Sequence, residues 1–124
     1  MSPKILVADD EPNIVISLEY LLKREGYTVV IARDGQEAVD AIVREQPDLV
    51  LLDVMMPKKT GFEVCQEVRA IASVQGTKIL MLTAKGRDTD VAKGLALGAD
   101  AYMTKPFATR ELVQKVAEML GQAT

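Results

Sequence analysis

The chain has 124 residues, of which 48% are hydrophobic and 27% charged. That is the profile of one globular domain with a sizeable core, too short for two ordinary domains and too apolar for a disordered chain. A net charge of −3 argues against a nucleic-acid footprint across the domain. With no histidine and one cysteine, Cys65, there is no disulfide within the chain, no Ser-His or Cys-His nucleophile, and no zinc or iron–sulfur centre built from His and Cys. Acid, base or metal chemistry is left to Asp, Glu, Lys, Tyr and hydroxyl groups.

The opening Met1-Ser2-Pro3-Lys4 leads straight into a short apolar run, without the length or cleavage site of a signal peptide. No run approaches a membrane-spanning length. The expected compartment is the cytoplasm, with no membrane partner. A first strand is expected over Ile5–Ala8. A helix follows over Pro12–Glu25, with Val15, Leu18, Leu21 and Leu22 on one face and Gly26 as its stop. Val29–Ala32 is the second strand. Asp34–Glu45 reads as a helix opened by Asp34, with Glu37 at capping-box spacing, Ala38, Ala41 and Ile42 inward, and Pro47 beyond its end. The third strand is Leu49–Leu52. Thr60 and Glu63 repeat the capping spacing ahead of a helix carrying Cys65, Val68 and Ile71. After a fourth strand, Ile79–Leu82, Asp88 is expected to cap a helix with Val91 and Leu95 inward and Gly98 at its end. Ala101–Met103 is the weakest strand, assigned from its place in the pattern. Glu111–Leu120 is the last helix, with Leu112, Val116 and Leu120 in line.

The first four strands are continuous apolar runs, which suits burial on both faces of a parallel sheet. Strand–helix alternation through five repeats predicts an α/β fold: a doubly wound five-stranded parallel sheet with five helices on its two faces and right-handed crossovers. One domain is expected over 1–124.

The polar residues carry the functional signal. Asp9 and Asp10 follow the first strand, Asp53 ends the third, Thr83 ends the fourth and Lys105 follows the fifth. All lie at the carboxyl ends of strands, the edge where open α/β sheets hold ligands. With strand order 2-1-3-4-5, the first and third strands are neighbours and the three carboxylates converge. Packed carboxylates raise one another's pKa, and a divalent cation relieves the conflict. Oxygen ligands without His or Cys point to Mg²⁺ or Mn²⁺. With the Lys105 charge and the Thr83 hydroxyl, the set suits a phosphoryl group, and one carboxylate can be the nucleophile that forms an aspartyl phosphate.

These residues resemble the receiver domain of two-component response regulators, the flavodoxin-like family of the bacterial chemotaxis response regulator. The likeness runs through Val7-Ala8-Asp9-Asp10-Glu11-Pro12, Leu51-Leu52-Asp53-Val54-Met55-Met56-Pro57, Gly61, Leu82-Thr83-Ala84, Gly98-Ala99-Asp100-Ala101-Tyr102 and Lys105-Pro106-Phe107. The resemblance implies that Asp53 is the phosphoacceptor. It implies that Asp10, Asp53 and the Met55 carbonyl hold Mg²⁺, with Asp9 acting through bound water. It further implies that Lys105 pairs with the phosphoryl group, that Thr83 bonds it, that Tyr102 turns inward in response, and that Lys105-Pro106 is a cis peptide. The implied partners are a histidine kinase or phosphotransfer protein, and a downstream effector or output domain docking on the face made by the fourth helix, fifth strand and fifth helix.

Two positions depart from the pattern. Ala108 opens the last helix where relatives often have Ser or Thr, and Ala101 replaces one of two acidic residues that often precede the tyrosine. Lys93, Asp100, Glu111 and Lys115 resemble charged positions that some receivers use for a phosphorylation-dependent homodimer. The rival for Glu111 and Lys115 is a pair within one helix at i, i+4. A Mg²⁺-dependent aspartyl-phosphate phosphatase is the alternative function. Such enzymes usually carry a second Asp two residues after the nucleophile, where this chain has Met55.

Overall fold

The computed structural model describes residues 2–84 and 86–122. Met1 and Thr124, the outer bounds of the expected domain, lie outside the described residues. The elements alternate: β1 Lys4–Ala8, α1 Pro12–Arg24, β2 Thr28–Ala32, α2 Gly35–Glu45, β3 Leu49–Asp53, α3 Gly61–Ala70, β4 Lys78–Ala84, α4 Asp88–Ala96, β5 Ala101–Lys105 and α5 Thr109–Met119. The strands form one parallel sheet in the order β2-β1-β3-β4-β5. This is the doubly wound, flavodoxin-like arrangement read from the sequence.

Strand side chains alternate between the faces of a sheet, so each strand feeds two cores. Ile5, Val7, Leu49, Leu51, Leu80 and Leu82 pack with Leu18, Leu22, Leu112 and Val116 of α1 and α5. Leu6, Ala8, Val50, Leu52, Ile79 and Met81 pack with Ala38, Ile42, Val64 and Val68 of α2 and α3. Complete burial holds for Ile5–Ala8 of β1 and for all of β3, which are central, but not for β2, whose Val29, Val30 and Ile31 are half-buried because β2 is an edge strand.

Two caps form at the expected places. Asp34 Oδ1 accepts from the Glu37 N–H at 2.8 Å. Thr60 and Glu63 complete a reciprocal capping box, at 3.2 and 3.0 Å. Asp88 does not cap α4. The helix begins one residue earlier than expected, Arg87 is its N-cap with no side-chain cap bond, and Asp88 is the first helical residue. Its charge still suits the positive end of the helix. Leu95 is 44% exposed, and Gly94 is the buried residue of α4, resting on Met81 and Phe62. The α5 N-cap, Ala108, makes no side-chain bond, and Thr109 is already helical rather than a substitute cap. Cys65 is fully buried, its thiol 3.5 Å from the Leu97 carbonyl.

Candidate functional site

The carboxyl ends of β1, β3, β4 and β5 meet at one edge. Asp9 follows β1, Asp53 is the last residue of β3, and Lys105 is the last of β5. Thr83 stands beside Thr104 in register, and Asp53 beside Leu82. Asp9, Asp53 and Thr83 are buried, and Asp10 is exposed. Carboxylate oxygens of Asp9, Asp10 and Asp53 lie within 4.8 Å of one another.

Lys105 is the counter-charge. Its Nζ donates to Asp9 Oδ2 at 2.7 Å and to Glu11 Oε1 at 3.2 Å, and lies 3.4 Å from Asp53 Oδ1. Asp9 Oδ1 accepts from the Glu11 backbone N–H at 3.0 Å, so both of its oxygens are engaged. Burial, and then the Asp9 charge, push the Asp53 carboxyl up to about 6, against the opposing pull of Lys105 and the Met55 N–H. Burial works against the Lys105 charge, but the bond to Asp9 and the charges of Asp53 and Asp9 outweigh it, and its pKa is raised. Among the described residues, the Thr83 hydroxyl is buried without a partner.

Two features shape the loop after β3. The Gly61 N–H donates to the Val54 carbonyl at 2.8 Å, and a Cβ at Gly61 would collide with the Asp53 carbonyl. Only glycine lets α3 start this close to the acceptor strand. Met55 is 67% exposed, whereas Met56 is buried in the core.

The donor set fits a hard divalent cation. Three carboxylates offer oxygens at one point, and the Asp9 charge adds to burial in raising the Asp53 pKa against the pull of Lys105.

A family model described as the response regulator receiver domain matches residues 5–117. The chain belongs to that family. Receiver domains act as phosphoacceptor switches rather than as metabolic enzymes. The chain is 35% identical to a candidate response regulator of Chloroflexus aurantiacus, with a TM-score of 0.93 over 98% of this chain and 99% of the other. The receiver domain of a sensor histidine kinase from Pseudomonas aeruginosa, described with a magnesium ion coordinated in its active-site cleft, is 30% identical, with a TM-score of 0.90 over 98% and 99%. The chemotaxis protein CheY4 of Vibrio cholerae is 33% identical, with a TM-score of 0.90 over 96% and 99%.

In this receiver Asp9, Asp10, Asp53, Thr83 and Lys105 share one edge. Tyr102 does not join them: its side chain is 47% exposed. Lys105-Pro106 is cis, and Phe107 is half-buried against the α1–α5 core. Sequence reading missed Glu11 as a partner of Lys105. The acidic run Asp9-Asp10-Glu11 was visible, but the contact joins residues 94 apart in sequence. It also missed Arg69, whose guanidinium binds the Gly98 carbonyl, the Thr77 carbonyl and Asp100, tying α3 to the start of β5.

Proposed function

We propose that residues 1–124 form one cytoplasmic receiver domain that takes a phosphoryl group on Asp53 from a histidine kinase or phosphotransfer protein. One observation carries the reading: the Asp53 carboxylate ends β3 beside two other carboxylates, with the Lys105 ammonium 3.4 Å away. An Asp53 oxygen forms a P–O bond while the donor's P–N bond breaks, and the imidazole leaves protonated. Lys105 is placed to meet the charge of the transferred group, and the unpartnered Thr83 hydroxyl is free to donate to it.

Asp10, Asp53 and the Met55 carbonyl would hold Mg²⁺, or Mn²⁺, with Asp9 acting through water because both of its oxygens are already bonded. When bound, the ion supplies positive charge against the crowded carboxylates and the incoming phosphoryl oxygens. Thr83 would then couple the site to Tyr102 and the α4–β5–α5 face, where an effector or output domain docks. The phosphatase reading lacks its acid–base residue, since Met55 occupies that place.

Acetyl phosphate and Mg²⁺ followed by intact-mass measurement test the proposal. One phosphoryl adduct is expected on the native chain and none on Asp53→Asn. Equal labelling of the Asn variant would overturn the assignment.

A further inference from the structure

The Lys105 ammonium has three N–H donors and faces three carboxylates. Asp9 and Glu11 take hydrogen bonds, at 2.7 and 3.2 Å, and Asp53 has only an ion pair at 3.4 Å. The two holders differ. Asp9 is fully buried, and withdrawing Lys105 from it would strand a buried charge. The Glu11 side chain is 59% exposed, so water can take the place of the lysine there. Glu11 is nevertheless delivered to the ammonium by its backbone. It is the N-cap of α1, and its N–H is tied to Asp9.

We propose that Glu11 is a positioning residue that competes with the acceptor site for Lys105, holding the ammonium off Asp53 until phosphoryl transfer draws it across. The inference rests on the phosphoacceptor reading of Asp53. Glu11→Gln removes the competing charge while keeping the side chain's shape. It should raise the limiting rate of phosphorylation two- to fivefold, about the scale of an exposed ion pair. The donor concentration for half-maximal rate should stay within about twofold of the native value.

Two measurements test this. The first follows Asp53 phosphorylation by intact mass at saturating Mg²⁺ over a series of acetyl phosphate concentrations. A higher limiting rate supports the proposal. An unchanged limiting rate, or a change confined to half-saturation, assigns Glu11 to donor encounter and overturns it. The second records the Lys105 ammonium signal by ¹H–¹⁵N NMR in metal-free protein, assigned with Lys105→Arg. Glu11→Gln should shift that signal, and Glu19→Gln, which removes the partner of Lys23 on α1, should not. A Lys105 signal indifferent to Glu11 overturns the proposal whether or not Asp53 accepts phosphate. A native chain that takes no phosphoryl group overturns the acceptor reading itself.

Discussion

Thr83 has a hydroxyl that finds nothing to bond among the described residues, buried at the end of β4. A buried unpaired hydroxyl costs about 1–3 kcal/mol, so Thr83→Val, which keeps the shape, should stabilise the chain by about 1 kcal/mol in urea unfolding. The same variant should still accept phosphate on Asp53 but lose phosphorylation-dependent partner binding. Asp53 pays a comparable electrostatic penalty. Its carboxyl titrates at about 6 in the fold, against 3.8 as the reference value. The folded state therefore binds the proton more tightly, and the stability this group confers at low pH is lost as pH rises from about 4 through 6. In the presence of a chelator, Asp53→Asn should be more stable than the native chain at pH 8, by about 3 kcal/mol. That advantage should vanish near pH 4, and an equal gain at both pH values would show that charge is not its source.

Among the elements, α5 begins without a side-chain cap. Ala108 has the extended backbone of an N-cap, at φ −78 and ψ 138. Ala108→Ser should add about 0.5–1 kcal/mol, read as a rise of a few degrees in Tm. Gly61→Ala tests the opposite limit: its methyl group meets the Asp53 carbonyl and Val54, so the start of α3 must shift away from the acceptor. Loss of stability and slower phosphorylation should appear together. The helices that were legible in sequence are those fixed by local chemistry, such as the Thr60–Glu63 box and the Asp34 cap. α4 was misread at its start and on its inner face because it rests on its neighbours through Gly94, a residue that leaves no mark in an apolar pattern.

For the molecule as a whole, strand order and the convergent carboxylates followed from apolar runs and their polar ends. The lysine's partners did not, since they depend on how far apart strand ends stand in space. The same holds for the contacts made by the charged residues that resemble the dimer positions of some receivers. The Lys93 ammonium lies 4.6 Å over the Phe62 ring, and Asp100 bonds Arg69 and the Ile79 N–H. Glu111 and Lys115 form no ion pair with each other among the described residues. With Lys93 and Asp100 engaged inside their own chain, sedimentation should give a monomer with and without beryllofluoride. A doubled mass with the mimic would show that those contacts are surrendered on activation.

The lone sulfur has a practical consequence. Cys65 is sealed between α3 and the end of α4, and burial, with a smaller push from Asp100 against Arg69, raises its pKa, so native protein should resist thiol reagents. Each modification event then requires α3 to lift or the chain to unfold. The labelling rate, set against that of the denatured chain, becomes a clock for opening beneath the acceptor strand. Comparing that clock in the presence and absence of beryllofluoride would report how far occupancy of the Asp53 edge tightens a helix whose first residue, Gly61, touches it.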